Sequence, residues 1–538
     1  MILSRVLRGA SAAALLSFAS TPSAAQAQSA PFDLTGPSLQ VTVKRRDTTL
    51  PISRVPNLAA GDRISVSALL PEDQSAHYLL VAVFLRGATN PPPKEWFFSA
   101  ETWKKKDKEK SLAITVPEGA HQLALFMVPE TGGDIGTLTN AVRGRPGAFV
   151  RASQDLNQAM LDRTRLETYL AGIQRQDASR PDKLEEVSPI LARSLAMKLN
   201  TDCLQKMTDL QAACLTQDRE ALVLNDVHSA TMTEALTGAP ADLALQVAAT
   251  PQGGMGYYSP YIGVVRDLAR VLGAFHSAQF QYIPALAVTR GDRMDLLLNA
   301  VPSFAEPMSV LVTALPPIAE PHVPPLQAGE GAQALCAGRP DLVLPVTGGP
   351  LVYSTNYAHS MALRVQTKDG RGLSLPVSAR AEKGGFVIDR DRLRLSDFGG
   401  TIDATLQGYW GFQSFDGPRF RLANAEGATW KVAEGQPPLE AGREARLELQ
   451  GAATPCVEAV TARLPSGETR KLAWEATGAD RLALVLPANA LTAGTLTVQI
   501  KPFGVQVPVD VPVTVPAPPP PPVEAPVAAP AAAPTTLP

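Results

Sequence analysis

Histidine is scarce in this chain, with six in 538 residues. That limits histidine-rich metal sites and nucleophile–histidine chemistry alike. There is no Gly-x-Ser-x-Gly and no His-Glu-x-x-His, so two common hydrolase signatures are missing. Neither sign of charge dominates: 49 basic residues stand against 51 acidic ones. Neither nucleic acid nor an anionic membrane surface is therefore an obvious partner. No apolar run reaches the ~20 residues that span a bilayer, so no integral membrane segment is expected. Nothing in the pattern calls for a cofactor or a bound metal.

Cysteine is also sparse. Of the four, Cys203 comes first, so a lipidated N-terminal cysteine is excluded. The N-terminus carries Arg5 and Arg8, a short apolar stretch over Ala10–Ala19, and the small-x-small site Ala25-Gln26-Ala27. This is the pattern of a cleavable secretory signal over 1–27. It predicts a periplasmic or secreted mature chain. In that setting four cysteines predict two disulfides. The pairing favoured is Cys203–Cys214 and Cys336–Cys456. Cys203, Met207, Leu210 and Cys214 also fall on one helical stripe, and an unbroken helix would hold the sulfurs about 16 Å apart. A second helix start at Thr208-Asp209 would relieve the conflict.

Prolines are many, 48 in all, which suits a loop-rich, mostly β chain. The fold class expected is multidomain and mainly β, with antiparallel, Ig-like sandwiches flanking a helical domain. Strand signals fill 31–135: Ile64, Val66 and Ala68 alternate, Tyr78–Leu85 is a buried-type run, and Leu112, Ile114 and Val116 alternate again before Gln122–Val128. The lysine-rich stretch Lys104–Lys110 reads as a solvated hairpin loop. A helical domain follows over 146–276. Phe149, Ala152, Leu156, Ala159, Leu166, Leu170 and Ile173 make a stripe of about seven turns that only Arg163 breaks. Ser188-Pro189 predicts the start of another helix, and Tyr261–Phe275 a third.

Strands resume over 278–316, read as a second sandwich unit. Gly61-Asp62-Arg63 and Gly291-Asp292-Arg293 each precede an alternating strand, and either internal duplication or shared turn chemistry accounts for the echo. The stretch 316–335 reads as a linker. A sandwich over 336–430 carries a strong hairpin signal at Asp369-Gly370. A last Ig-like sandwich covers 436–515 and closes on an edge strand, Val505–Val515, with Pro508 and Pro512 on one face. The Pro/Ala-rich end, 516–538, reads as a disordered tail.

Several motif matches dissolve on inspection. Asp397-Phe398-Gly399 has no companion kinase loops. Arg290-Gly291-Asp292 is accounted for by a hairpin turn. Gly253-Gly254-Met255-Gly256 lacks the preceding strand of a phosphate loop. The residues left over are few. Asp226, His228 and His276 are candidate acid/base or binding groups near the helical domain. Tyr257 and Tyr258 sit on a glycine-rich loop where binding residues gather. Aromatics cluster at Tyr409–Phe420, where Trp410 and Phe412 share the inward parity of the strand and Tyr409 points outward, and again at Trp96–Trp103.

Through Gly256–Gly263 (GYYSPYIG) and Gln279–Ala285 (QFQYIPA), the chain resembles large exported bacterial proteins that are themselves uncharacterised. The resemblance implies export and neither an activity nor a site. The function expected is a non-catalytic binding or structural protein of the envelope, with a protein or carbohydrate partner. The runner-up is a hydrolase of polysaccharide or peptidoglycan, which would need two carboxylates across a cleft.

Overall fold

The computed structural model describes residues 32–517, apart from 71–76, 105, 107–109, 131–134, 218, 220–221, 224–278, 334 and 390–391. The signal segment expected over 1–27, most of the Pro/Ala tail and the helix expected over Tyr261–Phe275 lie outside the described residues. What is described is mainly β, with helices between β units.

The first unit is one ten-stranded sheet folded on itself. Its strands are β1 (Leu34–Arg45), β2 (Thr48–Pro51), β3 (Arg63–Leu69), β4 (Tyr78–Leu85), β5 (Phe97–Glu101), β6 (Ser111–Thr115) and β7 (Gln122–Pro129), then β8 (Phe280–Arg290), β9 (Arg293–Leu298) and β10 (Met308–Ala314). The order is β5-β4-β7-β10-β8-β9-β1-β3-β6, with β2 beside β1. Strand β8 makes the fold. Phe280 to Pro284 pair in parallel with β10, and Ala285 to Arg290 pair antiparallel with β9. Pro284, which has no N–H to give, ends the first ladder.

This corrects the reading of 278–316 as a second sandwich unit. Both Gly-Asp-Arg turns are real, with Gly61 at φ 84° and Gly291 at φ 62°. The strands they launch, β3 and β9, flank the same strand β1. The twelve-residue β1 offers both of its edges, so the two echoes complete one sheet.

Helix α1 (Ile135–Gly144) and the 34-residue helix α2 (Pro146–Ser179) cover one side of this unit. Val81, Val83, Phe126, Val310 and Tyr282 of the sheet meet Leu138, Phe149, Ala152 and Leu156 of the helices. The opposite face of β4 and β7 forms the sandwich core with Leu39, Val41, Ile64 and Leu296. Burial on both faces is why Tyr78–Leu85 is continuously apolar and does not alternate. Beyond Leu161, α2 leaves the sheet. Leu166, Tyr169 and Ile173 pack with Leu184 and Leu191 of α3 (Leu184–Ser194). Helix α2 is therefore a strut of about 51 Å.

Helix α3 begins before the Ser188-Pro189 start, and Pro189 lies inside it. Extending the helix back by a turn buries Leu184 completely. The Ser188 hydroxyl donates to the Leu184 carbonyl, and the amide Pro189 lacks would have served only Glu185.

The Cys203–Cys214 bridge is present, with its Cα atoms 5.5 Å apart. The helical stripe is broken as the cysteines require. A 3-10 turn over Thr201–Gln205 stops at Lys206, and α4 (Thr208–Leu215) starts afresh.

The stretch read as a linker is tied down. The amides of Leu58 and Ile318 donate to Pro317 and His121 (2.9 Å each), and Ala319 donates to Leu58 (3.0 Å). Prolines prevent a regular strand there, but their carbonyls still accept. The second β unit is an eight-stranded sheet, β11 (Gln327–Ala328), β12 (Leu335–Cys336), β13 (Val343–Thr347), β14 (Ala358–Gln366), β15 (Gly372–Arg380), β16 (Gly385–Ile388), β17 (Thr401–Trp410) and β18 (Gln413–Ala423). Its order is β11-β13-β16-β15-β14-β17-β18-β12, antiparallel except for β12 beside β18. It curls until β11 touches β18. The Asp369-Gly370 turn joins β14 to β15, with Gly370 at φ 83°. A short helix α5 (Pro350–Ser354) lies against α2.

The last unit is an Ig-like sandwich of two four-stranded sheets. One holds β19 (Trp430–Val432), β20 (Ala445–Gly451), β23 (Ala473–Ala476) and β24 (Arg481–Leu486). The other holds β21 (Val457–Arg463), β22 (Thr469–Lys471), β25 (Gly494–Pro502) and β26 (Val509–Val515). β26 is an edge strand with Pro512 in it, but it starts at Val509 and not at Val505. Gly504, at φ 77°, turns the chain first, and Val505 instead joins a small cluster beside Cys336 and Cys456. Those two cysteines are bonded across 120 residues.

Candidate functional cleft

A small concavity lies where the first sandwich, α2 and the second sheet meet. Its interior is small, about 30 Å³, room for a water or two and far below the roughly 300–1,000 Å³ usual for small-ligand sites. Helix α2 supplies its floor. Gln154, Asn157, Gln158 and Leu161 line it, and their spacing of three, four and seven puts them on one helical face. The neighbouring face carries the apolar stripe that packs on the sheet. Gln122 and Pro56 come from the first sandwich, Pro316 and Pro317 from the segment after β10, and Tyr357 from the start of β14.

The carboxamides are held to different degrees. Asn157 is buried, and its Nδ2 donates to the Leu315 carbonyl at 3.0 Å and toward Gln122 Oε1 at 3.5 Å. Gln158 donates from Nε2 to Asp162 at 2.9 Å, which leaves its oxygen for other partners. Gln154 is half-buried, and its side chain makes no hydrogen bond among the described residues. Tyr357 is only 4% exposed. Its ring meets Trp410 edge-on at 5.5 Å, and its hydroxyl has no hydrogen-bond partner among the described residues. Burial pushes that hydroxyl's pKa well above the usual tyrosine value, so it stays protonated, able both to donate and to accept. The lining holds no carboxylate, histidine, serine or cysteine. Among the described residues no group of three acidic, histidine or cysteine side chains could hold a metal, and no helix is long and apolar enough to cross a membrane.

Of the sequence-predicted candidates, Asp226, His228, Tyr257, Tyr258 and His276 lie outside the described residues. Tyr409 lies at the end of β17 and is 46% exposed. It stacks flat on His359, its neighbour in register, with ring centroids 5.6 Å apart and planes 9° apart. His359 Nε2 is 2.9 Å from the Gly411 carbonyl. Burial, opposed by that hydrogen bond and assisted by Arg54, lowers the His359 pKa. The ring is therefore neutral at pH 7 and donates from Nε2. Trp410 is buried, while Phe412 is half-buried beneath the Arg45 guanidinium, 4.5 Å from its centroid. The Trp96 cluster is structural: Phe84 meets Trp96 and Phe98 edge-on.

Gly411 joins the aromatic stack to the cleft. Its amide donates to the Tyr357 carbonyl at 3.0 Å. A Cβ at this position would stand 2.6 Å from Pro56 Cδ, and φ is 58°. Only glycine suits such a turn at such a distance. The carboxamides escaped the sequence reading because neutral polar residues signal neither a core nor chemistry. The available signal was a second, uncharged stripe beside the apolar one.

The buried tyrosines give one measurable consequence. Burial raises Tyr169 and Tyr282 to about 12, and it raises Tyr357 too. A group whose folded pKa lies above its unfolded value adds stability that is full below pH ~10 and lost as pH rises toward ~12. An ultraviolet titration should leave these phenols neutral near pH 11 until the chain unfolds. Their ionisation at pH 10 with the fold intact would contradict this burial.

No protein-family model matches the chain, and no curated protein matches it. Among solved structures it is similar to the Bacteroides ovatus mixed-linkage glucan utilization locus protein SGBP-B in complex with a heptasaccharide, at 13% identity and a TM-score of 0.16. That match covers 43% of this chain, which spans 57% of SGBP-B. It is also similar to titin Ig tandem domains (16% identity, TM-score 0.14, 33% of this chain and 87% of that one). A tetra-tandem repeat from the extending region of a large adhesion protein matches at 8% identity and a TM-score of 0.16, covering 89% of this chain and 74% of that one.

Proposed function

We propose that the protein is an exported, non-catalytic binding protein of the cell envelope, and that the surface around the small cleft at Tyr357 meets its partner. The observation that carries this reading is the cleft's lining. It presents hydrogen-bonding groups and apolar walls, as binding sites do, and it contains no acid/base pair or nucleophile of the kind catalysis needs. The two disulfides support a location outside the cytoplasm, since such bonds persist in oxidising compartments.

The test uses the purified chain and insoluble envelope material. Wild-type protein is expected to sediment with it and to release no soluble fragments. Gln154→Trp, which fills the cleft, should weaken retention at least about tenfold, the equivalent of ~1.4 kcal/mol. Unchanged retention would remove the cleft from the proposal, and fragment release would replace binding by hydrolysis.

A further inference from the structure

We infer that the seam between the first sandwich and the second sheet is acid-sensitive, and that protonation of His359 loosens it.

The seam is built around one hairpin tip. β17 and β18 turn at Gly411, with Trp410 paired to Gln413. A Cβ on Gly411 would stand 2.6 Å from Pro56 Cδ and 3.4 Å from the Arg54 carbonyl, so the tip lies directly against the first sandwich. Beside it the Arg45 guanidinium, held by both Asp62 oxygens at 2.7 and 2.8 Å, covers the Phe412 ring. From its own sheet the tip is held by His359, whose Nε2 donates to the Gly411 carbonyl at 2.9 Å.

His359 is put there by a local irregularity. The pairing of β14 with β17 shifts between His359 and Ala362, and Ser360 takes the left-handed conformation at φ 52°. Such a conformation is costly for a residue with a side chain and persists only where its surroundings impose it. Bulges re-aim side chains, and this one lays the His359 ring on Tyr409 and against Gly411.

The groups around that ring are neutral or cationic. Tyr409 gives a ring face, Ser360 a hydroxyl 3.3 Å from Nδ1, and Gly411 a carbonyl. The first sandwich contributes the positive charge of Arg54. Arg45, beside Phe412, is already matched by Asp62, and no carboxylate among the described residues acts on the ring. A proton gained by His359 therefore sets a second cation near Arg54 with no anion to offset it, on a ring that is partly out of water. Burial, with Arg54, holds the ring's pKa below its ordinary value. The opened seam takes the proton more readily, so the stability at stake is full above the ordinary histidine value of ~6.5 and is lost as pH falls below it. This is the range in which histidine serves as a switch. Pro56 and Tyr357 also line the small cleft, so the surface proposed to meet the partner would shift with the seam.

Hydrogen exchange on the full chain, at about pH 7.5 and about pH 5, tests this without any partner. After correction for the intrinsic pH dependence of exchange, peptides over Gly411–Gln413 and Ile52–Leu58 are expected to exchange severalfold faster at the acid pH. Peptides over Val66 and Leu363, inside the two sheets, are not. His359→Gln keeps an N–H for the Gly411 carbonyl and cannot titrate, so it should remove the difference. Arg54→Gln should shrink the difference and raise the His359 pKa in an NMR titration. Thermal melts at the higher pH verify that each variant folds. No acid-dependent change in the wild type, or a change that persists in His359→Gln, overturns the proposal. Equal acceleration at Val66 and Leu363 overturns it too, since the whole fold would then be yielding to acid. An Arg54→Gln variant with unaltered exchange and an unaltered His359 pKa removes the repulsion on which the proposal stands.

Discussion

Replacing Cys336 and Cys456 together by serine is expected to lower the melting temperature of the second sheet and to separate its unfolding from that of the last sandwich. The bridge closes 120 residues of sequence separation, and strands β13 to β20 all lie inside that loop. In the chain-entropy account a loop of this size is worth about 4–5 kcal/mol. The surrounding apolar cluster consists mostly of alanines beside Phe503 and Val505, and across the contact the Arg339 guanidinium lies over the Phe503 ring, 5.2 Å from its centroid. The last sandwich has a separate core built on Leu447, Leu449, Leu484, Val498 and Ile500, so it can melt by itself. Calorimetry should resolve two transitions in the variant. A single transition at the wild-type temperature would mean that the bridge carries none of the coupling.

Arg165→Met is expected to destabilise the protein by about 3–5 kcal/mol. Arg165 and Asp162 are each 1% exposed, and the guanidinium is 2.6 Å from the carboxylate. The pair sits one turn apart on α2, just past the point where the helix leaves the first sheet. Removing the cation takes the Arg165 charge away from a buried carboxylate that also accepts from the Gln158 amide. Removing both charges is different. Arg165→Met combined with Asp162→Leu should recover most of the loss, because an apolar pair needs no hydration replaced. Denaturant titration of the two single variants and the double gives the coupling. Additive losses would show that the pair does not act as a unit. Since Gln158 links Asp162 to the cleft floor, the single variant should also disturb the cleft.

The sequence made the strands legible wherever one face was buried. Leu447 and Leu449 alternate because their neighbours meet water, and Tyr78–Leu85 runs unbroken because both its faces are covered. The outward side of Tyr409 followed from the same parity. The cysteine pairing was legible too, since Thr208-Asp209 offered the break that Cys203 and Cys214 needed. Pro189 was misjudged because a helix start was inferred from local capping chemistry, while burial of Leu184 set the true one. The short β26 has a like cause: alternating valines promised a longer strand, and the positive φ of Gly504 turned the chain before it began.

Composition and periodicity by themselves determined the mainly β class, the long helix, the turns and the disulfide chemistry. These depend on near neighbours in the chain, or on a side chain's need to be inside or outside. Tertiary structure alone decided that β3 and β9 share one partner strand, that the supposed linker is fastened to Leu58, and that a cleft exists at all. Its carboxamides, prolines and tyrosine come from segments far apart in the chain. No local pattern marks such residues, because each is polar, small or aromatic for reasons that become visible only when the others are brought beside it.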